Sequence, residues 1–309
     1  MTVSELEKKF AVPGVMSFKE TASGLAYLLV TAPSAQATIC MYGAHLTHWK
    51  PTGHQLAIFL SERTDIMPGI PIRGGVPVIF PWFGPWRAGL PGARPDAVAG
   101  QPHGFARLEI WELESAVVVG DEVHLTLTLG PNETSRALGY DHFRLTYRVL
   151  VGKTLTLELT VTNESAAPLN YEEALHTYFS IADATQTTVR GLAETAFLDK
   201  VDGMKQKVQP KESIELTGKI DRVYRNTTAT CTINDLVGRR RIAVAKENSK
   251  TTVVWNPWSD GAATIKDLAP DAWRGMLCVE SANVGENAVT LAPGASHTLR
   301  AVYSIEASR

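Results

Sequence analysis

Apolar and polar residues alternate with a period of two along most of this chain. In His124-Leu125-Thr126-Leu127-Thr128-Leu129 the leucines fall on one face and the polar groups on the other. Leu155, Leu157, Leu159 and Val161 alternate with Thr154, Thr156, Glu158, Thr160 and Thr162. Leu145 to Val151 and Thr251 to Val254 add β-branched and aromatic runs of strand length. Turn signals separate the runs: Val119-Gly120-Asp121, Gly130-Pro131-Asn132, Val151-Gly152-Lys153, Asn163-Glu164-Ser165, Val201-Asp202-Gly203 and Ala292-Pro293-Gly294. Short strands at regular spacing predict antiparallel sheets packed face to face, an all-β sandwich larger than a single immunoglobulin-type domain.

Helical signals are few. Ser4 to Phe10 predicts one short helix, with Ser4 as N-cap and Glu7 at the third helical position. Ala269 to Trp273 predicts another. No linker, composition break or repeat divides the chain, so one continuous β domain over residues 1–309 is expected. The stretch from Gly84 to Gln101 is rich in Gly, Pro and Ala and reads as a long loop over a site.

The apolar fraction of 44% and charged fraction of 20% fit a soluble globular chain. A formal net charge of -2 gives no field for a nucleic acid or an anionic membrane. No apolar run is long enough to span a bilayer, and Met1 to Phe10 lacks the apolar core of a signal. Three widely spaced cysteines, Cys40, Cys231 and Cys278, suit a reducing cytoplasm and buried apolar roles better than disulfides or a thiolate metal site. A cytoplasmic monomer acting on a small molecule is the expectation.

Two segments break the strand pattern. Arg73-Gly74-Gly75-Val76-Pro77-Val78-Ile79-Phe80-Pro81-Trp82-Phe83-Gly84-Pro85 crowds Gly, Pro and aromatics around an arginine, and Gln101-Pro102-His103-Gly104-Phe105-Ala106-Arg107 follows it. Glycines permit close approach to the backbone, prolines fix φ, and flat rings beside polar groups suit the faces of a sugar. The arginine fork fits an anionic oxygen cluster, phosphate above all. Together they read as a binding loop for a phosphorylated carbohydrate, with Gln101 a further candidate ligand.

The remaining chemistry is scattered. His45 and His48 are three apart, on opposite faces of a strand, so they do not form a metal site together. His54, His142 and His297 stand in polar or turn contexts, and His124 on a Thr face. His176 lies in Tyr171 to Ile181, where alternation puts Ala174, His176 and Tyr178 on one face; a hydrogen-bonded structural histidine is the commoner reading. Glu280 ends the apolar run Met276 to Val279 and must be paired or functional. Trp255-Asn256-Pro257-Trp258 suits a sugar or ordinary edge packing, and Asp221-Arg222-Val223-Tyr224 a hydroxyl ligand or a turn ion pair. Nucleotide-binding glycine motifs, Gly-x-Ser-x-Gly and His-Glu-x-x-His are absent.

In order, these segments resemble the aldose 1-epimerase (mutarotase) superfamily, and within it the hexose-6-phosphate branch. Met41-Tyr42-Gly43-Ala44-His45-Leu46 comes first, followed by the Arg-Gly-Gly and His-Gly-Phe-Ala-Arg segments. The His176, Asp221, Trp255 and Glu280 segments complete the order. The resemblance implies a β-supersandwich. It implies His176 as catalytic acid and Glu280 as catalytic base, with His103 bonded to the sugar beside the reacting centre. Asp221 would bind a hydroxyl, and Arg73 and Arg107 would grip the phosphate, with Arg87 or Arg94 as substitutes. The implied reaction exchanges α and β anomers by acid–base opening and closing of the ring. It needs no metal, nucleotide or other cofactor. A free-hexose epimerase and a non-catalytic sugar-binding domain stay open beside it.

Overall fold

The computed structural model describes residues 1–87, 90 and 100–308. The predicted all-β architecture is what these residues adopt: two large antiparallel sheets, smaller ones, and a few short helices. A nine-stranded sheet runs in the order Ile214–Glu215, Thr187–Arg190, Cys231–Asp235, Arg240–Glu247, Ser296–Ala307, Leu155–Asn163, Phe143–Val151, Glu122–Leu129 and Glu112–Val119. The alternating runs read from sequence lie here. Their leucines are buried, and Thr160 and Thr162 pair on the other face with Thr298 and Ser296 at 2.8 Å.

The eight-stranded sheet carries Asp221, Trp255 and Glu280. Its order is Lys205–Val208, Ala196–Asp199, Ile220–Arg225, Thr251–Asn256, Met276–Asn283, Glu173–Leu175 and Val78–Ile79; Tyr178–Ser180 also pairs with Met276–Asn283. Every residue of Met276–Asn283 is buried, because both faces of that strand are covered. One face meets the nine-stranded sheet, where Phe179 and Tyr303 rings lie 5.0 Å apart and Thr177 shares a 2.6 Å hydrogen bond with the Tyr303 hydroxyl. Continuous burial erases period-two alternation, so this strand shows in the sequence only as an apolar run. Glu280 is therefore interior to the strand, which continues to Asn283, rather than at its end.

Met16–Glu20, Ala26–Thr31, Ala35–Cys40 and His45–Pro51 form a separate four-stranded sheet. Against it packs the first helix, Val3–Phe10, which buries Leu6 and Phe10. Thr2, not Ser4, caps this helix, in a reciprocal box with Glu5. Starting two residues earlier, the cap leaves Glu7 free to accept the Phe18 amide at 2.6 Å, and Leu6 and Phe10, four apart, share the buried face. A helix at Glu133–Leu138 follows a turn signal and is capped by Asn132. The expected Ala269 to Trp273 helix appears as a 3₁₀ turn over Ala272–Gly275.

Candidate active site

The site is laid out by strand register. Asp221 is paired with Trp255, Trp255 with Cys278, and Cys278 with Tyr178. Directly opposed residues of antiparallel strands share a face, so these four side chains form one row across four strands. Two residues further along, the next row on that face is Val223, Val253 and Glu280. Ile79, Ala174, Val223, Val253, Ala282 and Val284 pack as an apolar floor around it. A carboxylate is thus set into a greasy patch.

His176 reaches Glu280 because the strand carrying it breaks. Glu173–Leu175 and Tyr178–Ser180 are separate strands, joined by a tight turn in which the Thr177 amide donates to the Leu175 carbonyl at 2.9 Å. The His176 amide donates instead to Pro77 at 3.1 Å. Its Nδ1 then lies 3.4 Å from Glu280 Oε1. Neither Nδ1 nor Glu280 Oε2 has a hydrogen-bond partner among the described residues. Glu280 is 1% exposed and His176 9%. Burial pushes the Glu280 carboxyl well above the usual carboxylate range, with Lys200 opposing and Asp221 adding to the rise. Burial, then His103, Arg107 and Arg73, push His176 well below the ordinary imidazole value. Both groups are driven toward their uncharged forms.

Rings line the approach to this pair. His176 stacks on Tyr178 with centroids 4.9 Å apart and planes 11° apart. Trp255 stands edge-on to both, at 6.2 Å from His176 and 5.8 Å from Tyr178. His103 lies 5.4 Å from His176, and Phe83 stands edge-on to His103 at 4.8 Å. The two irregular segments named from sequence are tied together here. The His103 amide donates to the Gly84 carbonyl at 2.8 Å, and the Gly84 amide donates back to His103 Nδ1 at 3.3 Å. That bond puts the ring proton on Nε2, the nitrogen left for a ligand. Burial, then Arg107, Lys200 and Arg73, bring His103 down to about 3, so it is neutral near pH 7.

The glycines of both segments have steric reasons. At Gly104, with φ +71°, an added Cβ would stand 2.0 Å from the Phe80 carbonyl oxygen. At Gly75 it would stand 2.3 Å from the His45 ring, which lies beneath the segment and holds the Gly74 carbonyl at 2.8 Å. His45 is thus a buried brace, brought down to about 4 by desolvation.

The arginines differ in their freedom. Arg73 donates from Nε to Asp267 at 3.0 Å and from Nη1 to the Tyr178 hydroxyl at 3.2 Å, leaving Nη2 unpartnered among the described residues. Arg107 donates one bond, Nη2 to the Pro102 carbonyl at 2.7 Å, and its buried Nε has none. No carboxylate pairs with Arg107 among the described residues; burial first, and Arg73 beside it, lower it to about 10. Arg87 is committed elsewhere, to Glu172 at 3.2 Å. Arg94 lies outside the described residues, as does most of the Gly84 to Gln101 stretch.

Of the eight residues singled out from sequence, seven belong to this constellation: Arg73, His103, Arg107, His176, Asp221, Trp255 and Glu280. Gln101 does not join it. It is exposed, its carbonyl accepts the Trp82 indole at 3.1 Å, and it borders a depression shared with Leu108, Glu109 and Thr134.

This constellation sits on a chain whose residues 26–304 match the family model described as aldose 1-epimerase. The chain belongs to the aldose 1-epimerase family. A protein of Escherichia coli K12 is 34% identical over 287 residues, covering 91% of this chain and 92% of its own. One of Salmonella typhimurium LT2 is 33% identical over 282 residues, covering 89% and 91%. Both carry the name "Putative glucose-6-phosphate 1-epimerase". A solved Salmonella typhimurium structure, described as a "putative mutarotase", superposes with a TM-score of 0.86 at 30% identity, covering 97% of this chain and 96% of that one.

Sequence reading of this epimerase-family chain missed Lys200, Asp267 and the role of Glu172. Lys200 Nζ meets Asp221 at 3.0 Å and lies 5.8 Å from the Phe83 ring. It follows the Ala196–Asp199 strand just ahead of a Val-Asp-Gly turn, and only the register brings it to Asp221. Glu172 accepts the Phe83 amide at 2.8 Å and the Gly285 amide at 2.9 Å, pinning the loop that carries Phe83. Asn256, which read as a sugar-facing amide, is instead structural: it donates to Trp273 and Met276 carbonyls at 2.8 and 2.7 Å.

Proposed function

We propose that this protein exchanges the α and β anomers of a hexose 6-phosphate, chiefly D-glucose 6-phosphate. His176 and Glu280 are the acid–base pair, and Arg73 and Arg107 the phosphate clamp. The observation that carries the anionic substrate is Arg107, a guanidinium in a desolvated setting beside Arg73 with no carboxylate of its own among the described residues. Two guanidiniums side by side, with Asp267 paired to Arg73 alone, call for an anion. The names of the bacterial relatives point the same way.

The chemistry follows from the 3.4 Å separation of His176 Nδ1 and Glu280 Oε1. The hydroxyl oxygen O1 and ring oxygen O5 of a pyranose share one carbon, so two adjacent groups address both. In ring opening Glu280 takes the O1 proton, O1 becomes a carbonyl, the C1–O5 bond breaks, and His176 protonates O5. Rotation about C1–C2 and the reverse proton movements close the other anomer. The pair gives one proton and takes one, so its total is unchanged over the step. The neutral forms favoured by burial hold that same single proton on Glu280, and it passes to His176 across their 3.4 Å contact before ring opening, leaving a carboxylate to take the O1 proton and an imidazolium to supply O5. His103 Nε2 and Asp221 are placed to hold hydroxyls, and Trp255 gives the sugar an apolar wall. The arginine grip on the far end of the substrate holds C1 in register against the pair.

Exchange spectroscopy by NMR on glucose 6-phosphate, glucose and galactose tests this. Faster exchange of the phosphorylated sugar is expected, and Arg73→Ala or Arg107→Ala should weaken it far more than exchange of free hexose. Equal rates on all three sugars would replace this reading with a free-aldose epimerase. Saturable binding without exchange would leave a sugar-binding domain.

A further inference from the structure

Resting on the sugar-phosphate reading, we propose that Tyr178 is a positioning residue that couples the phosphate clamp to the acid–base pair. One side chain spans both. Its ring lies nearly parallel to His176 at 4.9 Å, and its hydroxyl accepts from Arg73 Nη1 at 3.2 Å. It is buried and walled by Trp255, so the ring has no room to turn away. Its backbone is fixed by pairing with Cys278, two residues along the strand from Glu280 and on the same face.

Arg73 is held at two points, Asp267 on Nε and Tyr178 on Nη1. Asp267 sets the height of the guanidinium, and Tyr178 sets its rotation, leaving the Nη2 edge turned to the ligand. An anion drawn to that edge pulls on the Tyr178 hydroxyl. A shift of the phenol is passed to the imidazole lying against it. The hydroxyl accepts from Arg73, so its own proton has no acceptor among the described residues and is free to be given to a ligand oxygen. Burial pushes the phenol above its ordinary value despite Arg73, so the hydroxyl keeps that proton at all physiological pH.

Two variants separate the halves of this role. Tyr178→Phe keeps the stack and removes the hydroxyl. It should raise KM for glucose 6-phosphate about tenfold, the size of a lost hydrogen bond to a charged group, with a smaller change in kcat. Tyr178→Leu removes the stack as well and should lower kcat by a further factor of about ten or more as His176 loses its orientation. The measurements are NMR exchange rates across glucose 6-phosphate concentrations, with near-UV circular dichroism to check folding. A Tyr178→Phe enzyme with unchanged KM and kcat would overturn the coupling. So would one whose kcat falls while KM stays put. Should Tyr178→Leu fail to fold, the KM shift of Tyr178→Phe decides alone. Failure of the sugar-phosphate reading looks different: the wild-type protein would then show no preference for the phosphorylated sugar, whatever Tyr178 does.

Discussion

Two histidine–glutamate pairs sit on opposite faces of the same two strands. His176 and Glu280 face the row of Asp221, Trp255 and Tyr178. Glu173 and Asn283, directly paired in register, face the nine-stranded sheet, where His297 Nε2 meets Glu173 Oε1 at 3.0 Å. Both carboxylates are fully buried, so burial does not distinguish them. Hydrogen bonding does. Glu173 Oε1 also accepts the Asn283 amide at 2.8 Å, and that bonded setting pushes His297 up. Glu280 Oε2 has no hydrogen-bond partner among the described residues, and its neighbour His176 is pushed down. A bonded pair across the sandwich fastens the sheets. The pair on the other face leaves Glu280 Oε2 and His176 Nδ1 unbonded among the described residues, as the proposed proton exchange requires.

The strongest break of this contrast is catalytic. His176→Ala and Glu280→Gln should each lower anomer exchange by about 10²–10⁴-fold while the fold persists. Glu173→Ala should cost stability instead, about 2–4 kcal/mol in denaturant titration, because it strands a buried amide and an imidazole. Its exchange rate per folded molecule should stay within about tenfold of wild type, since no atom of Glu173 faces the row; a loss as deep as that of Glu280→Gln would erase the distinction.

Melting series against pH should separate the two variants by sign relative to wild type. Glu280 is raised, so the native state favours its protonated form, and ionisation above the ordinary carboxylate range costs stability. Glu280→Gln should therefore melt higher than wild type, by a margin that widens as pH rises. His297 is raised, so its contribution is complete below the ordinary imidazole value and fades as pH climbs past it. The deficit of Glu173→Ala should accordingly shrink with rising pH. A Glu280→Gln protein that melts below wild type, as Glu173→Ala should, would mean the pairs are alike. The subtlest effect is in the kcat profile. Raising Glu280 and lowering His176 moves both edges of the range over which the pair carries one proton, so both limbs of the profile should depart from those of an unperturbed carboxylate and imidazole. A narrow peak between roughly 4.3 and 6.5, the unperturbed values, would count against the pairing.

The nine-stranded sheet was readable because one face of its strands is solvated, which imprints alternation on Leu155 to Val161. Met276–Asn283 lost that imprint through burial on both sides, and Glu280 read as a terminus. The order of motifs pointed to the seven clustered residues, but composition alone left Asp221, Trp255 and His176 ambiguous. Lys200 and Asp267 had no local signal, since each matters through a partner far along the chain. His297 read as a turn residue, because its proximity to Ala292-Pro293-Gly294 hid its place in the strand Ser296–Ala307. The break at His176 was invisible to alternation, which continues smoothly through Ala174 and Tyr178.

The transverse row Asp221, Trp255, Cys278 and Tyr178 takes one member from each of four strands. A slip of any strand by a single residue would turn its member to the far side of the sheet and take Val223, Val253 or Glu280 with it. Assembly of the row is therefore all-or-none, and on the proposed function a recovered rate after refolding would count the molecules whose strands have found their places.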